Sequence, residues 1–221
     1  MRITLLVPTL NEIRGMREVM PRVRRDWVDE ILVVDAGSTD GTLEYAQEQG
    51  YKMVHQKSRG ITYAYQEALP HASGEVVIAF SPDGNSVPEL IPALAGKMRE
   101  GYDMVVASRY LAGARSEDDD LLTGIGNRIF TGMINVLFGG RYTDSLVMMR
   151  AFRKDIVPEF PPGMPRAGMD AMLSISCAKR KLKVAEIPGD EPKRIGGQRK
   201  MQPFLNGLDI LKLIAWELRR P

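Results

Sequence analysis

Three short polar stretches hold the residue types from which a phosphate or metal site is built: "VPTLNE" (7–12), "VVDAGSTDGT" (33–42) and "FSPDGNS" (80–86). In the last, one carboxylate, Asp83, is crowded by Ser81, Pro82, Gly84 and Asn85. Pro presets φ and Gly accepts positive φ, so turn chemistry accounts for this stretch without a function. The other role open to Asp83 is to hold a metal ion. In "VVDAGSTDGT", Ser38 or Asp40 suits a cap on the following helix and Gly37 a permissive turn. Capping leaves Asp35 unexplained: a carboxylate at a strand end could accept a hydrogen bond from a base N–H or a ribose hydroxyl. Pro8, Thr9 and Glu12 follow the first apolar run, with Thr9 or Asn11 as N-cap and the acid near the helix start. The same loop, set beside Asp35, could line a nucleotide pocket.

Positive groups fall at complementary places. "KSRGITYAYQEAL" (57–69) sets Lys57, Arg59 and Gly60 at a helix start, where backbone N–H groups favour anions and Arg59 adds charge for a diphosphate. "EPKRIGGQRKM" (191–201) clusters Lys193, Arg194, Arg199 and Lys200 around Gly196-Gly197, a pattern ordinarily found on a solvated, flexible segment. "RYTDSLVMMRAFRKD" (141–155) carries Asp144, whose simplest role is a loop cap or a salt bridge to a nearby Arg.

The elements that must position these groups alternate. Strands are predicted at "RITLLVP", "EILVVD", "KMVHQ", "EVVIAF", "DMVVAS" and "KVAEI". Helices are predicted over 13–27, 41–50, 60–72 and 87–101 from apolar spacing and flanking signals. Such alternation implies an α/β fold with a mainly parallel central sheet flanked by helices. "EILVVD" and "EVVIAF" are continuous apolar runs, as expected of strands covered on both faces. Ligands in such sheets collect beyond the carboxyl ends of the strands, and all three polar stretches lie there. After residue 110 the pattern changes to an acidic loop over 111–124, a glycine-interrupted apolar helix over 121–140, and the 141–155 stretch, read as returning to the sheet. A Pro/Gly loop (160–168), a helix around Met172 and a final helix from 203 complete the chain.

These blocks, in this order, resemble the family-two glycosyltransferases, above all the dolichol-phosphate mannose synthases and bacterial polyprenyl-phosphate glycosyltransferases. The resemblance implies a Rossmann-like A-type glycosyltransferase fold, read as one domain over 1–221. Residues 1–110 would be the half that binds the nucleotide sugar, 111–202 the acceptor half with a mobile basic loop, and 203–221 an amphipathic helix. It places Pro8, Thr9, Glu12, Asp35 and Ser38 around a nucleotide-diphosphate sugar (UDP-, GDP- or dTDP-linked), with Arg59, Gly60 and Ser81 on the donor side. The acidic metal motif falls on "SPDGNS", with Asp83 and Asn85 as ligands of Mg²⁺ or Mn²⁺ and Ser81 standing where such enzymes usually carry an Asp. A hard divalent cation needs few protein carboxylates when phosphates and water complete its shell. Asp144 would act as base toward a hydroxyl acceptor, or only orient when the acceptor is an already ionised lipid phosphate. Arg109, Arg194, Arg199 and Lys200 would contact acceptor or donor phosphate, the glycine pair serving as a hinge.

Composition sets the bounds. A 221-residue chain buries a substantial core unaided, and its formal charge of +2 does not mark a nucleic-acid binder. The lone Cys177 excludes an intramolecular disulfide and suits a buried helix filler. The start is too short an apolar run for a signal peptide, and no stretch approaches the ~18 uninterrupted apolar residues of a membrane span. A cytoplasmic protein is expected, peripheral at the inner face of the membrane through the final helix and its terminal arginines. A homodimer is compatible with the sequence. The acceptor is a polyprenyl phosphate or, given the bulky "SLVMM" after Asp144, a soluble hydroxylated metabolite. A nucleotidyltransferase and a non-catalytic nucleotide-sugar-binding protein are the rival readings.

Overall fold

A computed structural model describes residues 1–159, 168–196 and 202–220. Seven strands form one sheet: β1 (Ile3–Thr9), β2 (Glu30–Asp35), β3 (Lys52–His55), β4 (Val76–Ala79), β5 (Met104–Ser108), β6 (Arg150–Arg153) and β7 (Val184–Pro188). Their order is β3-β2-β1-β4-β6-β5-β7. All neighbours are parallel except β6, which runs antiparallel to both β4 and β5. The six expected strands are present, and the 141–155 stretch supplies the seventh. Its direction follows from connectivity: after β5 the chain stays at the carboxyl end through Asp144, so its next pass runs back down the sheet. Leu5, Leu6, Val7, Leu32, Val33, Val34, Val77 and Ile78 are fully buried, as central strands covered on both faces must be.

The helices are α1 (Ile13–Val19), α2 (Thr42–Glu48), α3 (Ile61–Ala68), α4 (Ile91–Arg99), α5 (Leu121–Phe138), α6 (Met169–Lys179) and α7 (Pro203–Glu217). Those expected over 13–27 and 60–72 are shorter than the apolar spacing implied. Pro21 and Pro70 lack an N–H, and each helix gives way there to a 3-10 turn, Met20–Arg22 and Leu69–His71. The acidic run is not simply an exposed loop. Asp120 caps α5 by accepting from Thr123 N at 2.7 Å, and Asp119 is drawn inward to Arg109.

The helix α5 is long and apolar enough to cross a membrane by length and composition, although Asn127, Arg128 and Asn135 interrupt it. Its inner face buries Thr123, Thr131 and Ile134, while Leu121 and Val136 remain more than four-fifths exposed (82% and 84%). Cys177 is buried in α6 as expected, and burial pushes its thiol up to about 12, away from thiolate chemistry.

Candidate active site

The carboxyl ends of β1, β2 and β4 bring the three polar stretches together. Thr9 and Asp35 are register partners on neighbouring strands, and the Thr9 hydroxyl donates to Asp35 Oδ2 at 2.7 Å. Asp35 Oδ1 accepts from Gly37 N and Ser38 N, both at 2.8 Å, and the Ser38 hydroxyl donates to Oδ2. A carboxylate offers about four lone-pair sites, and these bonds use them all. Asp35 is therefore the framework of the turn, tying the end of β1 to the loop after β2. The groups it holds are the hydroxyls of Thr9 and Ser38.

Capping also differs from expectation. Neither Thr9 nor Asn11 caps α1. Asn11 sits at φ 55°, accepting from Thr39 N through Oδ1 at 2.8 Å and donating its own N–H to Ser38 Oγ. Glu12 N donates to Thr42 Oγ1 and Ile13 N to Asp40 Oδ2, both at 3.0 Å, so the second loop caps the helix that follows the first. Pro8, Thr9, Glu12, Asp35 and Ser38 consequently form one rigid unit. Arg59 lies exposed on the loop before α3, and Gly60, at φ 122°, precedes the first turn of that helix.

The "FSPDGNS" turn packs against α1. A Cβ on Gly15 would stand 2.2 Å from Pro82 O, so only glycine permits this approach. Within the turn, Ser81 N donates to Ser86 Oγ at 3.0 Å and Asn85 N donates to Asp83 Oδ1 at 3.0 Å. Asp83 Oδ2 carries a cation already: Arg194 Nη2 lies 2.5 Å away, while Arg194 Nη1 reaches Glu12 Oε1 at 3.5 Å. Asn85 Nδ2 donates to Pro192 O at 2.8 Å, a bond that does not use its Oδ1. Among the described residues no group of three or more His, Cys, Asp or Glu is arranged to hold a metal. The donor set is nonetheless the hard-oxygen kind, one carboxylate, one amide oxygen and a nearby hydroxyl. The guanidinium on Asp83 shows that the corner accommodates positive charge. It fits Mg²⁺ or Mn²⁺ provided that phosphate oxygens and water complete the shell.

Asp144 and Arg109 are brought together with each other rather than opened to a ligand. Asp144 is fully buried and accepts from Arg109 Nε at 2.7 Å, from Arg109 Nη2 at 3.1 Å, and from Leu146 N and Val147 N at 3.1 Å each. Burial alone would raise its pKa; the charge and hydrogen bonds of Arg109 outweigh burial and hold it below the usual carboxylate range. Arg109 Nη1 also meets Glu191 at 3.3 Å and Asp119 at 3.5 Å. Surrounded by three carboxylates, Arg109 is the hub of a buried network. Asp144, for its part, is engaged by Arg109 and by the Leu146 and Val147 N–H groups. Arg194 is in place beside Asp83, whereas Arg199 and Lys200 lie outside the described residues.

Sequence reasoning passed over Asp119 and Glu191 as partners of Arg109, because their contacts span 10 and 82 residues. It also passed over Asp170, at the start of α6. This carboxyl lies 3.5 Å from the fully buried Arg150, and burial pushes its pKa up to about 6 against the pull of that arginine. The folded state thus binds this proton more tightly than the unfolded chain, whose Asp titrates near ~3.9. Stability from this group is present at low pH and lost as pH rises through about 6. In chemical denaturation, wild type should gain stability over Asp170→Asn as pH falls from about 6 to about 4, by on the order of 1–2 kcal/mol. An unchanged difference would refute the assignment.

The profile of glycosyl transferase family 2 matches residues 4–160, which contain Thr9, Asp35, Ser38 and the Asp83 turn. The chain belongs to glycosyl transferase family 2. Among relatives of this glycosyltransferase is the dolichyl-phosphate hexose transferase of Haloferax volcanii, 29% identical, with 96% of this chain and 92% of the relative covered. Glycosyltransferase AglJ of the same organism is 28% identical over 93% of this chain and 68% of its own length. The dolichol-phosphate mannosyltransferase of Pyrococcus furiosus is 28% identical, covering 98% of this chain and 65% of that protein. Among solved structures, glucosyl-3-phosphoglycerate synthase from Mycobacterium tuberculosis, crystallised with Mn²⁺, UDP and phosphoglyceric acid, superimposes with a TM-score of 0.80 at 20% identity. That match covers 100% of this chain and 79% of the other, and it shows the A-type glycosyltransferase fold.

Proposed function

We propose that this family-two enzyme moves a sugar from a nucleotide-diphosphate sugar to a polyprenyl phosphate at a membrane surface, with inversion and with help from a divalent cation. The observation that carries the acceptor half of this reading is the locked state of Asp144. The carboxylate offered by sequence as a base is consumed by Arg109, and a lipid phosphate, already ionised, needs none. Such an oxygen would attack the anomeric carbon directly. The bond from that carbon to the donor diphosphate breaks, and its electron pair leaves on the nucleoside diphosphate.

Asp83 and Asn85 would hold Mg²⁺ or Mn²⁺, which when bound supplies positive charge for the diphosphate leaving group. Thr9 and Ser38, fixed by Asp35, shape the nucleoside pocket, and Glu12 lines the passage to the Asp83 corner. Asp144 and Arg109 orient the 144–149 segment beneath the acceptor. Residues 1–110 then form the donor half, 111–202 the acceptor half and α7 the terminal helix.

Two outward faces support a lipid-facing enzyme. On α5, Leu121, Leu122, Ile125, Ile129 and Val136 are exposed, and on α7 so are Phe204, Leu205, Leu208, Leu211 and Leu218. The two helices are in contact, with Gly207 of α7 set against the Phe130 ring of α5. Arg128, Lys212, Arg219 and Arg220 are exposed on the same helices or just after them, the arrangement that binds apolar lipid tails below anionic headgroups. These faces support a peripheral position on a membrane surface, which our reading takes to be the cytoplasmic one.

The test is sugar transfer from a panel of UDP-, GDP- and dTDP-sugars, with Mn²⁺, to a short-chain prenyl phosphate in anionic vesicles. One donor should give a lipid-linked sugar, and the double variant Ile125→Ser with Ile129→Ser should lower vesicle binding by about tenfold. Transfer to soluble hydroxylated acceptors with none to the lipid would replace the acceptor half of this reading. Tight donor binding without turnover would replace the catalytic one.

A further inference from the structure

We propose that Arg194 is an internal counter-cation which closes the Asp83 corner when no donor is bound, so that a divalent ion and the Arg194 guanidinium exclude one another. The proposal rests on the reading that this corner binds the metal. With Asp83 Oδ1 accepting from Asn85 N, Oδ2 is the oxygen left for a cation, and Arg194 Nη2 occupies it at 2.5 Å. A Mg²⁺ or Mn²⁺ ion sits about 2.0–2.2 Å from a carboxylate oxygen, inside the space the guanidinium fills. The two positive charges would also stand within a few ångströms of each other, which a half-buried site screens poorly.

The arginine does not act as a loose side chain. The segment that carries it docks on the metal turn at three further points. Pro192 O accepts from Asn85 Nδ2 at 2.8 Å, Ile195 N donates to Asp83 O at 2.8 Å, and the Ile195 side chain lies over Gly84. Gly84 has φ 97°, and a Cβ there would fall 2.7 Å from Ile195 Cγ1, so the turn is shaped to receive this segment. The dock ties down the amide side of Asn85, the second proposed ligand. Releasing Arg194 and freeing Asn85 are therefore parts of one movement of residues 192–196.

The latch is incompletely satisfied. Arg194 Nε is buried without a hydrogen-bond partner, and the Glu12 contact is long at 3.5 Å. An arginine with unused donors is one that an incoming ligand can draw away. Closure has a thermodynamic consequence: apparent metal affinity falls by the fraction of molecules whose corner is open. A corner closed in nine molecules of ten weakens binding by about tenfold. Arg194 thereby makes the bare protein a poor metal binder and couples metal capture to arrival of the donor.

The experiment is Mn²⁺ titration of the full chain without nucleotide, following free Mn²⁺ by electron paramagnetic resonance, for wild type, Arg194→Gln and Asp83→Asn. Arg194→Gln should bind Mn²⁺ about tenfold more tightly than wild type, and Asp83→Asn should lose the site. Equal or weaker binding by Arg194→Gln, with Asp83→Asn still losing the site, overturns the latch and leaves the metal corner standing. Binding unchanged in Asp83→Asn overturns the metal corner itself. Hydrogen exchange on the wild type needs no variant: Mn²⁺ should speed exchange at the Ile195 N–H, and an unaltered rate speaks against release of the segment.

Discussion

Asp83→Ala is expected to abolish metal-dependent sugar transfer, lowering kcat/KM by about 10²–10³-fold or more when assayed with donor, Mn²⁺ and acceptor. Asp83 supplies the one carboxylate of the "SPDGNS" corner, and position 81 offers a hydroxyl in place of a second charge. No neighbouring acid in the motif can take over. Alanine also breaks the Oδ1 bond from Asn85 N and the ion pair with Arg194, so part of its effect could come from a disordered turn. Asp83→Asn separates the two effects. Its amide oxygen keeps the bond to Asn85 N while the charge is lost, so turn geometry survives and metal affinity does not. Ser81→Asp should retain transfer and tighten Mn²⁺ binding by restoring a second carboxylate. Full activity in Asp83→Asn would remove this corner from the mechanism.

Asp144→Ala should destabilise the fold by about 3–5 kcal/mol, read from denaturant midpoints, because it strands Arg109 in the interior beside two more distant carboxylates. Leu146 N and Val147 N would lose their acceptor as well. Asp144→Asn keeps an acceptor oxygen for these N–H groups but loses the charge, and should fall between alanine and wild type. The pH dependence has a definite sign. The folded pKa of Asp144 is lowered, so its contribution is fully present above the unfolded value near ~3.9 and is lost as pH falls through the lower folded value. Acid unfolding of the wild type should therefore be steeper below about pH 4 than that of Asp144→Asn. If Asp144→Ala folded with wild-type stability yet lost activity, Asp144 would touch substrate after all.

Legibility varied along the chain for physical reasons. The strands β2 and β4 lie in continuous apolar runs, a local signal that needs no partner to be read. Helix lengths were overestimated where Pro21 and Pro70 sit within an otherwise apolar rhythm, since a missing N–H interrupts hydrogen bonding without disturbing that rhythm. The antiparallel sense of β6 depends on where the chain has travelled since β5, which no window of residues contains.

The same division runs through the site. Sequence determined the chemical inventory and its place: Thr9 and Asp35 close strands, Ser38 and Asp83 stand just past strand ends, and parallel strands carry those ends to one edge. It also determined that position 81 is a serine, where the resemblance to family-two enzymes implies an Asp. Tertiary structure alone decided what each charge does. Asp35 and Asp144 turned out to be multiply bonded acceptors inside the fold, Arg109 the centre of three carboxylates, and Arg194 the cation on Asp83. A side chain's type sets which bonds it can make. Whether they are spent on the protein or left for a ligand depends on partners as distant in sequence as Arg194 is from Glu12, brought near only by folding.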